Sequence, residues 1–209
     1  MVAVKEGGGE PSSNGKLREL IAKARSLNVP NDNIERVIKK AGDKDADSYE
    51  SITYEGYGPG GVALIVDSLT DNRNRTAGDL RHWFDKYGGN LGQTGSVGFI
   101  FTSKGIILIE NSSLNDDKVM EDCLESGAED FLIHPEAVEV YTAPSELSKV
   151  RASLEAKGYI IQSGETEYIP STYVKLEGDS ITKMEKILEL LEDNDDVQNV
   201  WHNWDDGQE

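Results

Sequence analysis

The chain has 209 residues, of which 37% are hydrophobic, and its formal net charge at pH 7 is −18. The single cysteine excludes an internal disulfide and a cluster of zinc-binding thiolates, and no apolar run approaches the roughly 20 residues that a membrane-spanning helix needs. So acidic a protein is not expected to coat DNA non-specifically, because phosphate binding depends on lysine and arginine. These features are typical of a cytoplasmic protein without membrane contact.

The first 47 residues are predicted to form a small helical unit. Apolar residues recur with helical spacing at Leu17, Leu20, Ile21, Ala24 and Leu27. A second helix is expected to begin after Pro30 and to end at Gly42, and residues 43–48 are typical of a polar linker. Because two short helices bury little surface alone, we expect them to pack on a third helix or a neighbouring domain.

The glycine-rich stretch that follows is predicted to be a hairpin turn. Gly56, Gly58 and Gly61 have the spacing of a dinucleotide-binding fingerprint, which must follow a strand and open a helix. Here Pro59 interrupts the motif, and the apolar run at 62–66 is typical of a buried strand. The glycines therefore favour a turn, where positive φ angles are needed.

The rest of the chain predicts an α+β fold in which one domain is inserted into another. A helix from Asn74 to Tyr87 and a half-buried strand from Val97 to Phe101 follow the hairpin. The next segment shows the βαββαβ order of a ferredoxin-like domain. A final helix–strand pair has no core of its own, so we expect it to join the first sheet. The predicted domains are the helical unit 1–47, the split α/β domain 48–103 plus 171–204, the inserted ferredoxin-like domain 104–170 and an acidic tail 205–209.

No catalytic or metal-binding constellation is recognisable in the sequence. His82, His134 and His202 are far apart, and none has a second histidine or a cysteine at the spacing of metal ligands. Cys123 falls on the apolar face of a predicted helix, which favours a buried packing role over a nucleophile. Neither a P-loop nor a Gly-x-Ser-x-Gly elbow is present. We therefore expect a binding protein rather than an enzyme, with no cofactor and no metal.

Positive charge is concentrated in two segments of this acidic chain. Residues 16–40 hold seven basic and three acidic residues, and Arg73 and Arg75 lie just before a predicted helix. Helix N-termini favour phosphate, and the arginine fork binds phosphate oxygens bidentately. The alternative is that these arginines pair with nearby acids and that lysines at a helix end offset its dipole. The candidate nucleic-acid-binding residues are Lys16, Arg18, Lys23, Arg25, Arg36, Lys39, Lys40, Arg73, Arg75 and Arg81.

The sequence resembles the YebC family, which includes the mitochondrial translational activator of cytochrome oxidase. The resemblance covers nearly the whole chain and rests on five motifs in order: Lys5–Pro11, Asn31–Lys40, Tyr54–Gly61, Asp71–Arg75 and Asp195–Asn203. It implies the same three-domain arrangement and a non-enzymatic, cytoplasmic regulator of gene expression that binds nucleic acid. Family members usually begin with a strongly basic segment containing Gly-His-Ser-Lys-Trp-like residues. This chain begins Met-Val-Ala-Val-Lys, which resembles the middle of the family's early helical region. Either its start was assigned at an internal Met, or the protein has lost the basic segment, and the sequence leaves both open.

The resemblance implies one of two mechanisms. The first is a ribosome-associated translation factor that eases synthesis through consecutive prolines by contacting ribosomal RNA and the tRNA end; the second is a DNA-binding transcriptional regulator. We favour the ribosome, because an acidic molecule with one basic end suits insertion into an RNA cavity. Residues 17–28 and 31–41 come nearest to a helix-turn-helix but lack its base-reading pattern. A third alternative, a small-molecule-binding regulator, rests on fold analogy and would place Gly56–Gly61 or Gly88–Gly98 in its pocket.

Overall fold

The computed structural model describes residues 2–26, 29–42, 49–111 and 114–207. The predicted linker at 43–48 lies outside these residues, as do Leu27 and the last two residues of the predicted tail. In chain order the elements are α1 (Val2–Gly7), α2 (Gly15–Ser26), α3 (Asn31–Gly42), β1 (Glu50–Tyr57), β2 (Ala63–Thr70), α4 (Arg73–Lys86), β3 (Asn90–Leu91), β4 (Phe101–Glu110), α5 (Asp116–Ser126), β5 (Asp130–Ile133), β6 (Ala137–Thr142), α6 (Leu147–Ala156), β7 (Ile161–Pro170), β8 (Val174–Lys175), α7 (Asp179–Glu192), β9 (Val197–His202) and β10 (Trp204–Asp205).

The helical unit is built from α1, α2 and α3, so the third helix that the two predicted helices need is α1. Their shared core is small, and its buried residues are Ala3, Val4, Leu17 and Ala41. The buried side chain of Asn14 joins α1 to α2. Its amide donates to the carbonyl oxygens of Ala3 at 2.6 Å and Gly8 at 2.8 Å, and its oxygen accepts from the N–H of Leu17 at 3.0 Å.

The first sheet has the strand order β3-β1-β2-β9, with antiparallel pairing throughout. Its central strand β2 is buried on both faces, which explains the continuous apolar run in the sequence. Val62, Leu64 and Val66 pack with residues of α4 and α7, whereas Ala63 and Ile65 belong to a second cluster with Val97 and Phe101. Because β9 comes from the end of the chain, the sheet is split in sequence as predicted.

The predicted hairpin turn is confirmed at the glycine-rich motif. Gly60 and Gly61 have φ angles of 67° and 82°, and residues other than glycine rarely adopt such positive φ angles. Gly56 is needed for a different reason: a Cβ there would lie 2.7 Å from the carbonyl oxygen of Asn90. The motif therefore closes a hairpin and lets β3 approach β1.

The second sheet has the order β5-β6-β4-β7 and is antiparallel. With α5 and α6 it forms the predicted βαββαβ unit, so the expected fold class is confirmed. Cys123 is fully buried among apolar residues of this unit, and burial raises the pKa of its thiol to about 11, as expected for a packing residue. The predicted limit between residues 103 and 104 falls within β4, and the domain limits stay a prediction.

The predicted strand from Val97 to Phe101 is wrong. Residues 98–100 form a turn of 3₁₀ helix, and β4 begins only at Phe101. Val97 and Phe101 are buried while Phe99 is 76% exposed. The N–H groups of Val97 and Gly98, which a strand would use in pairing, donate instead to the carboxylate of Glu55.

Candidate nucleic-acid interface

The two arginines at the start of α4 have different surroundings. The guanidinium of Arg75 donates to Asp71 at 2.9 Å and to both carboxylate oxygens of Asp196 at 2.9 and 2.8 Å. Arg73 and Arg81 have exposed side chains and no ion pair within the described part of the chain. The pairing that the sequence left open as an alternative for both arginines thus occurs at Arg75.

Asp196 organises a polar cluster at the N-terminus of α4. The hydroxyls of Thr76 and Thr70, both buried, donate to its carboxylate at 2.7 and 3.2 Å. Burial by itself would raise the pKa of Asp196, but hydrogen bonds from Thr76, Arg75 and Thr70 outweigh it and hold the pKa below its ordinary value. The cluster ties the segment before β9 to α4. In the sequence Asp196 was one acid among many, and only its position within a YebC-like motif marked it.

Tyr54 lies beside the unpaired arginines of α4. Its hydroxyl donates to the carbonyl oxygen of Arg73 at 3.4 Å. Burial raises the pKa of Tyr54, and the charges of Arg73 and Arg81 act in the opposite direction. The charges of Glu50 and Asp196 raise the pKa of the same phenol. Arg73 and Arg81 are both exposed residues of α4.

The polar side of α2 lies against the inserted unit. Lys23 forms an ion pair with Glu165 of β7. A cleft of about 470 Å³ between α2 and β7 is lined by residues that include Lys16, Lys23 and Arg151. Arg18 lines a neighbouring cleft formed with α6. Three of the predicted α2 residues therefore face a cleft within the molecule.

The remaining predicted residues lie on exposed parts of the helical unit. Arg25 donates to the side-chain oxygen of Asn31 at 3.2 Å, and Arg36 to that of Asn33 at 3.1 Å. Lys39 is exposed near the end of α3. Lys40 belongs to the same helix, but its side chain lies outside the described residues.

Ion pairing divides the basic side chains of the described residues into two groups. After residue 86 every one has a carboxylate partner: Lys104, Lys118, Lys149, Arg151, Lys157, Lys175, Lys183 and Lys186. Before that point Lys23 and Arg75 are paired. Within the same described ranges, the exposed basic residues with no carboxylate partner are Arg18, Arg25, Arg36, Lys39, Arg73, Arg81 and Lys86. Sequence reasoning missed Lys86, which lies 5.3 Å over the ring of Tyr87.

Side chains of the protein already fill the space beside two glycines of the 56–61 motif, which leaves no room for a ligand at those two positions. A Cβ on Gly58 would lie 2.9 Å from Leu64, and one on Gly60 would lie 2.4 Å from Leu176.

Across the described ranges, no group of three or more His, Cys, Asp or Glu side chains is arranged to hold a metal ion. None of the described helices combines the length and apolar character needed to cross a membrane.

Comparison with known proteins gives consistent matches along the chain. The family described as the TACO1/YebC protein N-terminal domain matches residues 1–44, and the TACO1/YebC second and third domain matches residues 49–204. A probable transcriptional regulatory protein of Finegoldia magna is 55% identical over 206 residues, which cover 98% of this chain and 86% of that protein. One of Caldicellulosiruptor bescii, with the same description, is 53% identical over 211 residues, covering 100% of this chain and 87% of the relative.

The architecture also matches a solved structure. The crystal structure of a conserved hypothetical protein, Aq1575 from Aquifex aeolicus, superimposes with a TM-score of 0.85 at 40% sequence identity. The match covers 97% of this chain and 84% of that one. The agreement extends over all three parts of the fold rather than over a single motif.

Proposed function

This chain belongs to the TACO1/YebC family, and on that premise we propose that it is a cytoplasmic regulator of gene expression that binds nucleic acid through its unpaired basic residues. The target that we propose is ribosomal RNA, with the tRNA end beside it. The protein would act there as a translation factor that eases synthesis through consecutive prolines. The contact residues would be Arg18, Arg25, Arg36 and Lys39 of the helical unit with Arg73, Arg81 and Lys86 of α4, and Arg75 would act through the fold.

The observation that carries this proposal is the distribution of ion pairs. Acidic residues outnumber basic ones by 39 to 21, so carboxylates are available to neutralise every cation. They do so at every described basic residue after position 86, but within the described ranges not at Arg73 and Arg81, nor at four exposed residues of the helical unit: Arg18, Arg25, Arg36 and Lys39. Cations without an internal partner can exchange their counterions for phosphates, which is the main source of affinity for nucleic acid.

Two features favour RNA over a DNA groove. Of the helix pair that comes nearest to a helix-turn-helix, α2 is the helix that would cross the DNA backbone, and it is tied to the inserted unit through Lys23 and Glu165. In addition, the excess of acid on the rest of the molecule would oppose lying along a duplex but not local insertion into an RNA cavity. The competing proposal is a DNA-binding transcriptional regulator, which the descriptions of the relatives favour.

The test is co-sedimentation with purified ribosomes over a salt series, beside a gel shift with duplex DNA at matched salt. The variant is Arg73→Ala/Arg81→Ala. Its control, Lys149→Ala/Lys186→Ala, removes the same charge from residues that are paired with Glu146 and Glu189. If two phosphate contacts are lost, the slope of log affinity against log salt falls by about 1.4–1.8 in the variant, while the control keeps the slope of the unchanged protein.

Each outcome separates the alternatives. Salt-sensitive ribosome binding that weakens only in the α4 variant supports the proposal. Tight binding to DNA with none to ribosomes replaces it with the transcriptional mechanism. Equal losses in both double variants would mean that net charge alone, and not the unpaired arginines, governs binding.

A further inference from the structure

Two connecting segments between the first sheet and the inserted unit carry no charge. Residues 88–103 and 168–174 contain no Asp, Glu, Lys or Arg, although 29% of the chain is charged. The two segments meet at Ser171, whose N–H and hydroxyl both donate to the carbonyl oxygen of Ile100 at 2.8 Å. The two segments therefore bring no charged side chain of their own to the junction, in a molecule with a net charge of −18.

The loop at this junction is held in one conformation by the rest of the fold. The carboxylate of Glu55 accepts the N–H groups of Gly95, Val97 and Gly98 at 2.7, 2.9 and 2.8 Å. The hydroxyl of Tyr57 donates to the carbonyl oxygen of Ser96 at 3.1 Å. Since the backbone is fixed by these bonds, the loop presents its side chains without a large entropic cost on binding.

Each connecting segment places an aromatic ring in solvent beside this junction. Phe99 is 76% exposed and Tyr173 is 61% exposed, while Val97 and Phe101 on either side of Phe99 are buried. Phe99 is next to Ile100, and Tyr173 is two residues from Ser171, so both rings emerge close to the Ser171–Ile100 bonds. Both rings therefore belong to segments without charged side chains, and Phe99 directly follows the loop that Glu55 holds.

We propose that Phe99 and Tyr173 stack against unpaired bases of the nucleic acid that this protein binds, and this inference rests on the function proposed above. Every base has a π-face, so aromatic side chains bind single strands with little sequence preference. In this acidic molecule a phosphate-bearing strand meets less repulsion at segments that carry no carboxylate of their own. The unpaired cations then hold phosphates elsewhere, and the rings contact bases.

The experiment measures binding of a short single-stranded RNA carrying 2-aminopurine, with the base-paired duplex of the same sequence as comparison. We expect Phe99→Ala and Tyr173→Ala each to weaken single-strand binding by about 5-fold to 100-fold, as for other base-stacking residues. The salt slope should stay unchanged, because no phosphate contact is lost, and the 2-aminopurine fluorescence change should shrink. Phe99→Tyr and Tyr173→Phe keep a ring and should bind like the unchanged protein.

Ile160→Ala is the matched control, because Ile160 is a 61% exposed apolar residue away from the junction. Equal binding by the unchanged protein and both alanine variants would overturn the inference and leave the proposed function standing. A loss in Ile160→Ala as large as in Phe99→Ala would also overturn it. If the unchanged protein does not bind the RNA, the stacking inference is wrong. The proposed function is then tested separately by the co-sedimentation with ribosomes.

Discussion

Neighbouring residues of one type have different roles at the start of α4. Arg75 lies on the side of the helix that meets the segment before β9, where its Nη2 donates to both carboxylate oxygens of Asp196. Arg73, two residues earlier, makes no such pair within the described residues. Because the same nitrogen also donates to Asp71, Arg75 joins two acidic segments of the fold, while Arg73 is available to a ligand.

Substitution of the Asp196 cluster should therefore lower stability. Asp196→Ala removes the acceptor of the buried Thr70 hydroxyl and one of the three acceptors of the buried Thr76 hydroxyl. This should reduce the free energy of unfolding by about 1–3 kcal/mol. Arg75→Ala should lower the melting temperature, and Arg73→Ala should leave it unchanged. Thermal unfolding followed by circular dichroism makes the comparison, and equal melting temperatures for Arg73→Ala and Arg75→Ala would contradict it.

At the scale of elements, a single carboxylate determines the shape of the loop between β3 and β4. Burial by itself would raise the pKa of Glu55, but the N–H groups of Gly95, Val97 and Gly98 outweigh it, and the pKa lies below its ordinary value of 4.5. The folded protein thus stabilises the charged form of the Glu55 carboxylate. Its hydrogen bonds hold residues 95–98 in a turn, where the sequence predicted a strand from Val97 to Phe101.

The stability that Glu55 provides should depend on pH. Because its folded-state pKa is lowered, its contribution is fully present above pH 4.5 and is lost as the pH falls through the folded-state value. At neutral pH we expect Glu55→Gln to lower the free energy of unfolding by about 1.5–3 kcal/mol, and this difference should shrink as the pH falls below 4.5. Urea unfolding at a series of pH values tests this, with the exposed Glu50→Gln as control. A difference that stays constant with pH would refute the assignment.

At the scale of the whole molecule, the helical unit is joined to the rest by few strong interactions. None of the clusters that fill the two sheet units includes a residue of α1, α2 or α3. The Lys23–Glu165 pair is exposed on both sides, and such pairs contribute about 0–1 kcal/mol. The sheet units therefore have complete cores without it.

A fragment of residues 49–207 should fold by itself. We expect a cooperative thermal transition and the near-ultraviolet signal of packed aromatic residues, because every core residue of both sheets is kept. Its ribosome binding should be weaker but still salt-dependent, since Arg73, Arg81 and Lys86 remain while Arg18, Arg25, Arg36 and Lys39 are removed. A fragment that unfolds without cooperativity would show that the helical unit is part of the core.

Local patterns in the sequence were sufficient for the features that depend on neighbouring residues. The apolar run of β2, the glycine turn after β1, the buried position of Cys123 and the βαββαβ order all follow from residue spacing, because burial and backbone conformation repeat with the period of each element. The five motifs likewise identified the family, whereas the binding of a polyanion by the positively charged segments stays a prediction.

Only the tertiary structure decided which charged and polar groups meet. Arg75 pairs with a carboxylate 121 positions away, Lys23 with one 142 positions away, and the N–H of Val97 with one 42 positions away. Each pairing depends on how distant segments pack, and many acids in this chain could have served equally well by sequence. For that reason the exposed cations, the turn in place of a strand and the two exposed rings became apparent only in the folded molecule.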